Sequence, residues 1–211
     1  MIIDLSKINM KESPMLLLKN QSGHVISPLC SAMHLKGTLC YNEISKLTFE
    51  IPKHYNGQDV EGYDSVIGMR IIEWKDIGQF VLLNPTIVGD GIHEIKQCTI
   101  YSLEYEFTHK KISLENATYN FWNPVTPKST ILGIILSYMP SWSVGIVDSS
   151  LIGKYRTYEI DNENLYDFMK NTLQEAYNCI FEFDTMNRKI NVRDANKEAN
   201  KKPVYLSTHY S

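Results

Sequence analysis

Asp59, Glu61 and Asp64 bring three carboxylates together, the raw material of a calcium site. An EF-hand loop spaces its oxygen ligands at alternate positions and closes on a glutamate. Asp59-Val-Glu-Gly-Tyr-Asp64 does not follow that spacing and reads as a solvated loop. The six histidines are scattered, with no His-Glu-x-x-His. His93 beside Glu94 and His109 beside Lys110 read as polar surface. Glu104 and Glu106 lie two apart, but glycoside hydrolysis needs its two carboxylates across a cleft. The pair therefore reads as the polar outer face of a strand. Cys30, Cys40, Cys98 and Cys179 form no Cys-x-x-Cys pair and read as buried thiols in a reducing compartment. Cys40 or Cys179 would need a histidine nearby in space to act as a nucleophile. Cys179 alternates with Phe181 and Phe183, so it faces a core. Tyr119-Asn-Phe-Trp122 and Pro140-Ser-Trp142 offer aromatic faces for a sugar, although aromatics on strands more often fill cores and interfaces. No Gly-x-Ser-x-Gly, Walker loop or Gly-x-Gly-x-x-Gly occurs. The sequence thus names no catalytic, cofactor-binding or metal-binding residue.

The positions of these groups depend on elements the pattern already marks. Tyr41-Asn-Glu-Ile-Ser-Lys-Leu-Thr-Phe-Glu-Ile-Pro52 carries the clearest strand signal. Leu47, Phe49 and Ile51 alternate with Thr48 and Glu50, and Pro52 has no N–H for a ladder. Met15–Leu18, His24–Leu29, Leu35–Tyr41, Met69–Trp74 and Gln79–Leu83 read as further short strands. Asn20-Gln-Ser-Gly23, Asn56-Gly57, Lys75-Asp-Ile-Gly78 and Gly89-Asp-Gly91 are the turns between elements. Pro28 marks an edge or an end. Glu94 to Phe107 alternates throughout, which predicts one long strand with Tyr101, Leu103, Tyr105 and Phe107 on one face. Short strands and Gly/Asn turns at such spacing predict an antiparallel barrel or sandwich.

Beyond Asn123-Pro-Val-Thr-Pro127 the character changes. Ser129 or Thr130 caps a predicted helix over Ile131–Met139, stopped by Pro140. Val144–Val147 and Arg156–Ile160 read as strands. Asp161 or Asn162 caps a second helix over Glu163–Tyr177, with Leu165, Phe168, Met169, Leu173 and Ala176 on one stripe. Cys179–Phe183 and Lys189–Val192 make a hairpin around Asp184-Thr-Met-Asn187. This half is α+β. Arg193–Lys202 is polar, and Val204–Leu206 starts another strand.

The chain has 211 residues and a net charge of −3, so it offers no basic footprint for nucleic acid or an anionic membrane. Hydrophobic residues make up 43%, enough for a packed core and against disorder. The N-terminus, with Asp4 and Lys7, is not a signal peptide, and Ile131–Met139 is too short to span a bilayer.

Tyr41–Pro52 resembles the N-terminal region of the minor structural, or tail-associated lysin, proteins of siphophages and prophages of Gram-positive bacteria. Further runs carry the same resemblance: Gly62-Tyr-Asp, Gly68-Met-Arg-Ile, Gly78-Gln-Phe, Tyr101-Ser-Leu-Glu-Tyr-Glu-Phe, Thr118-Tyr-Asn-Phe-Trp-Asn-Pro124, Met139-Pro-Ser-Trp-Ser-Val-Gly145, Leu151-Ile-Gly-Lys-Tyr-Arg156, Asn164-Leu-Tyr-Asp-Phe and Asn187-Arg-Lys-Ile-Asn-Val-Arg-Asp194. They cover nearly the whole chain. The resemblance implies a baseplate-hub fold: a tail-tube-type antiparallel β-barrel over 1–115, an inserted α+β domain over 116–202, and a strand over 203–211. That strand returns to the barrel or opens a second one. The resemblance further implies a homotrimer with pseudo-sixfold symmetry at the virion's tail tip. Its partners there are the distal tail protein ring and the tape measure protein. DNA transits its channel without specific binding, and there is no membrane anchor, cofactor or catalytic residue. A different reading is a peptidoglycan-degrading or carbohydrate-binding tail-tip module, which predicts a cleft with convergent carboxylates or stacked aromatics.

Overall fold

The computed structural model describes residues 2–4, 15–89 and 93–198. The chain forms two compact units. The first holds residues 1–111 together with Phe183–Lys189, and the second holds Ile112–Glu182 with the chain from Ile190 onward.

The first unit contains β1 (Ile2–Asp4), β2 (Leu16–Lys19), β3 (Val25–Pro28), β4 (Met33–Cys40), β5 (Lys46–Pro52), β6 (His54–Tyr55), β7 (Gln58–Asp59), β8 (Ile71–Trp74), β9 (Gly78–Leu82), β10 (Thr86–Gly89) and β11 (Glu94–Ser102). Nine of them form one antiparallel sheet in the order β1-β4-β5-β11-β9-β8-β2-β3, with β10 also on β11. β11 therefore divides one edge, giving Gln97–Glu94 to β10 and Ile100–Ser102 to β9. Inward side chains of β2, β5, β8, β9 and β11 meet Leu29, Tyr63 and Val66 in one buried cluster, so the sheet curls into a half-barrel around them. Leu47, Phe49 and Ile51 are all fully buried there. Burial of each contributes about 1.5–3 kcal/mol. Their β11 partners are Ile100, Cys98 and Lys96. Pro28 ends β3, which closes the sheet order at that side, as an edge proline should.

Turn chemistry sets the corners. Asn56 and Gly57 both have positive φ (51° and 77°), the geometry of a two-residue hairpin, and join β6 to β7 at the predicted Asn56-Gly57 turn. Gly37, at φ +141°, lies where β4 comes hard against β5. A Cβ there would sit 2.2 Å from the Lys46 carbonyl oxygen, so only glycine fits.

The predicted strand over Glu94–Phe107 is corrected by the structure. It stops at Ser102, and Leu103–His109 is a 3₁₀ helix. Leu103 and Phe107 are buried, but Tyr101 and Tyr105 stack on each other four residues apart, which a strand would not allow. At the ladder's end the Ser102 hydroxyl is engaged twice. It accepts from Ser45 N–H at 2.8 Å and donates to Glu104 at 2.7 Å.

The second unit contains β12 (Lys111–Asn120), β13 (Ser143–Val147), β14 (Tyr155–Asn164), β15 (Cys179–Asp184) and β16 (Lys189–Asp194). The latter two strands carry the 183–189 tip that belongs to the first unit. β12 and β14 form a two-stranded ribbon, and β13-β16-β15 form a small sheet. Asn116–Glu159, Thr118–Thr157 and Asn120–Tyr155 bond side chain to side chain. Their indices step in opposite senses by two, which fixes an antiparallel register. β12 is a strand that the sequence pattern did not predict; only Ile112 and Leu114 are buried along it.

The first helix, Ile131–Tyr138, is capped as predicted: the Thr130 hydroxyl accepts from Gly133 N–H at 3.1 Å. The second helix starts later than predicted, at Leu165. Its cap is Asn164, accepting from Tyr166 and Asp167 N–H, rather than Asp161 or Asn162. Asn162 stays in β14 with φ 51°. The helix passes through a π-helical stretch at Phe168–Leu173 and ends at Tyr177 before left-handed Asn178. Leu165, Phe168, Met169 and Leu173 are fully buried. They pack in a core with Phe121, Tyr158, Tyr177 and Phe181; Phe121 and Tyr177 ring centres are 4.3 Å apart. The Gln174 side chain accepts from Phe181 N–H at 3.2 Å and so occupies a backbone donor on the edge strand β15. The predicted strand at Val204–Leu206, and the 203–211 segment with it, lie outside the described residues.

Candidate assembly surface

The outward face of β4-β5-β11 is polar, and it is where Thr48 and Glu50 point. With Thr99 and Gln97 on β11, His34 and Lys36 on β4 and Thr86 on β10, they line a groove of about 320 Å³. A register shift between Met33 and Lys36 puts His34 in the left-handed region (φ 55°) and aims its ring across to Glu50, Nδ1 to Oε2 at 2.8 Å. That hydrogen bond holds the Glu50 carboxyl below its ordinary range. Beside the groove, β10 is exposed at all four positions, including Ile87 and Val88. Its only strand partner among the described residues is β11. An exposed edge of β-branched residues is a template for pairing with another chain.

Behind this face the interior holds charge. Lys96 sits on the inward side of β11 opposite Ile51 and is buried. Its ammonium donates to the Tyr63 carbonyl at 2.7 Å and the Val66 carbonyl at 3.0 Å, and lies 4.3 Å from the centre of the Tyr63 ring. It thereby fastens the 3₁₀ turn Tyr63–Ser65 inside the half-barrel. Tyr63 in turn donates its hydroxyl to Glu94 at 2.9 Å; burial, then that contact, pushes the phenol up to about 12. Glu73, also buried, is held by Lys19 and by Gln79 Nε2. Thr185 in the 183–189 tip accepts from Gln79 N–H at 2.9 Å. Arg188 in the same tip grips both oxygens of Glu106, at 2.8 and 3.3 Å.

The sequence candidates separate cleanly. Asp59 lies on β7 beside His54, and Glu61 and Asp64 are exposed. No group of three or more His, Cys, Asp or Glu among the described residues is placed to hold a metal. Glu104 and Glu106 are not a polar outer strand face. They lie on the 3₁₀ helix, where Glu104 is buried against Ser102 and Glu106 is half-buried against Arg188. Cys98 and Cys179 are buried, and burial pushes both thiols up to about 12. Cys30 corrects the reading of four buried thiols, since it is exposed, and Cys40 is half-buried. His93 is exposed, and His109 meets the Tyr105 ring edge-on at 4.9 Å. The aromatic runs do not make one platform. Phe121 and Trp142 are core residues, Tyr119 donates its hydroxyl to the Glu115 carbonyl, and Trp122 alone lines a groove.

That second groove, about 380 Å³, was not visible in the sequence. Trp122, Pro127, Gly133, Ile134, Leu136 and Ser137 line it, on the outer side of the first helix. The helix Ile-Leu-Gly-Ile-Ile-Leu-Ser-Tyr carries no charged residue. The signal that could have found it is this lack of any polar charged stripe.

No protein-family model matches the chain, and neither does any curated protein. Solved structures do. A prophage tail protein, gp18, from Listeria monocytogenes superposes with a TM-score of 0.59 at 14% identity, covering 85% of this chain and 50% of that one. A tail protein from Neisseria meningitidis gives 0.55 at 7%, covering 94% and 56%. A 43 kDa tail protein of prophage MuSo2 from Shewanella oneidensis gives 0.53 at 10%, covering 84% and 52%. At these identities the likeness is one of fold, and the chain spans about half the length of each of these proteins. The fold is an antiparallel β half-barrel with an α+β portion, shared with phage tail proteins.

Proposed function

We propose that this chain is a structural component of a phage tail, the N-terminal part of a baseplate hub at the tail tip. The observation that carries the reading is the fold: most of the chain superposes on three tail proteins, at identities too low to rest on shared sequence. The residue-level resemblance from Tyr41–Pro52 to Asn187–Asp194 supports the same assignment. In this role the chain forms a homotrimeric ring. The ring adapts the hexameric tail tube and the distal tail protein to the tip, meets the tape measure protein, and lets DNA pass. It is assembled in the bacterial cytoplasm and resides in the virion. An assembly role needs edges and faces rather than a reaction centre, and the exposed β10 edge and polar β4-β5-β11 face supply them. A net charge of −3 suits a channel that does not hold DNA, because phosphate contacts come from lysine and arginine.

The test is the mass of the protein in solution and its appearance by negative-stain electron microscopy. A three-copy ring is the expected result. Clearing of host cell wall in a zymogram by this chain would overturn the proposal in favour of a wall-degrading tip module. That module would need convergent carboxylates, whereas Glu104 and Glu106 are bound to Ser102 and Arg188.

A further inference from the structure

Asn56 is the one asparagine in the sequence that is followed by glycine. It stands at the tip of the β6–β7 hairpin, where residues 54–59 are all exposed. An asparagine carboxamide can be attacked by the backbone nitrogen of the next residue. That attack is least hindered on glycine, which has no Cβ to crowd it. The space around this nitrogen is open, since a Cβ built on Gly57 would meet nothing within 4 Å. Among the described residues, neither the Asn56 carboxamide nor the Gly57 N–H makes a hydrogen bond that would hold it back.

The hairpin is also easy to open. β6 and β7 have two residues each and, among the described residues, pair only with each other, outside the large sheet. A lone two-stranded hairpin is marginally stable at best in water. What ties it lies at its base: Val60 N–H donates to the Lys53 carbonyl at 2.8 Å, and His54 meets Asp59 at 2.6 Å. Asn56 itself sits in left-handed backbone, at φ 51°. Closing a five-membered ring from its side chain onto the next nitrogen requires the backbone to leave that geometry. Local opening of so short a hairpin supplies the change.

We infer that Asn56 is a site of self-modification in the folded chain, converting to aspartate and isoaspartate. The Gly57 nitrogen gives up its proton and bonds to the Asn56 side-chain carbonyl carbon. The bond from that carbon to the carboxamide nitrogen breaks, and the nitrogen takes up a proton and leaves as ammonia. Water then opens the cyclic imide. Opening at the side-chain carbonyl restores the original backbone and leaves aspartate. Opening at the main-chain carbonyl routes the backbone through the side chain and leaves isoaspartate. Nothing is oxidised or reduced, and water is the one co-reactant. Either product adds a negative charge to the hairpin tip. Isoaspartate also lengthens the turn by a backbone carbon, which a two-residue hairpin cannot absorb without losing the Tyr55–Gln58 pairing. This chemistry is independent of any assembly role.

The experiment ages the full chain in warm, mildly alkaline buffer and maps its peptides by mass. The peptide carrying Asn56 is expected to gain one mass unit and split into two isomers before any other asparagine peptide changes. Gly57→Ala should slow that gain severalfold. Alanine at positive φ loosens the turn, so the slowing cannot come from a tighter hairpin. Trypsin should cut the aged chain at Lys53 faster than the fresh one. Asn56→Asp, which keeps an ordinary backbone, should be cut as wild type. A folded chain that stays unmodified overturns the proposal, and reaction of the same chain in urea would then show that the hairpin shields Asn56. Equal gain at other asparagines overturns it too, as does a Gly57→Ala chain that ages like wild type. An aged chain that holds aspartate alone, or is cut no faster than the fresh one, overturns the isoaspartate step and the loss of the hairpin.

Discussion

In the first unit Lys96, Glu73, Ser45, Ser102, Glu104 and Thr185 are buried, while in the second an uncharged helix leaves Ile134 and Leu136 half in solvent beside an almost fully exposed Val125. One region places polar groups inside and matches them across long stretches of chain. The other fills its interior mainly with Phe121, Phe168, Tyr177 and Phe181, with Thr130 and Asp194 among its few buried polar residues, and leaves an apolar groove beside its first helix. The difference separates two uses of side chains. Matched buried polar groups fix a single arrangement of the curled sheet, because each leaves a costly unpaired partner if the register slips. Uncovered apolar surface is tolerated where another chain will cover it.

The sharpest way to break that contrast is to damage each interior in turn. Phe168→Ala should cost about 3–5 kcal/mol, because a fully buried ring leaves a cavity that a π-helical turn cannot collapse into. Urea unfolding followed by Trp142 fluorescence reads the loss, and a cost below about 1 kcal/mol would mean that the aromatic core is not what holds the second unit. Lys96→Met keeps the volume but strands two carbonyls, at Tyr63 and Val66. It should cost about 1–3 kcal/mol and release amide protection over 60–67 in hydrogen exchange. A neutral outcome would show that the buried ammonium is dispensable and that the contrast overstates the polar interior. Thr130→Ala removes one cap from the first helix and should cost about 1 kcal/mol, read from the thermal midpoint.

The smallest expected effect is on pH. Burial raises the Glu73 carboxyl, but hydrogen bonds from Lys19 and Gln79 outweigh it and hold the group below its ordinary value of 4.5. A carboxyl depressed in the folded state stabilises fully above its unfolded value. It loses that contribution as pH falls through the folded one. Wild-type stability should therefore decline below pH 4.5, and Glu73→Gln should flatten the slope in that window alone. Equal slopes would show that Glu73 is not what couples the first unit to acid.

What the sequence shows of all this follows from how local each cause is. Leu47, Phe49 and Ile51 declare their face through alternation, and Thr130 declares a cap three residues before Gly133 N–H. Both are nearest-neighbour patterns. Lys96 reads as a polar residue like any other, because its partners at Tyr63 and Val66 lie some thirty residues away. The Ser102 hydroxyl at the ladder's end is bonded to Ser45, 57 positions earlier, a contact that alternation, which carries on past it unbroken, does not display. β12 escapes because a two-stranded ribbon with exposed faces needs no apolar period beyond Ile112 and Leu114.

The 183–189 tip belongs to a unit whose other residues end at Lys111. Synthesis runs in one direction, so the Gly78–Gln79 corner emerges from the ribosome 106 positions ahead of Thr185, the hydroxyl that accepts its N–H. At about 5–20 residues per second the nascent sheet waits roughly 5–20 s for this hydrogen bond. Glu106 likewise waits for Arg188, 82 positions behind it. The sheet's own strands are all complete by Ser102, so what waits is the fastening of its corner by Thr185 and of its 3₁₀ helix by Arg188. Those two fastenings are timed by the synthesis of the α+β segment that lies between the two parts of the unit's sequence.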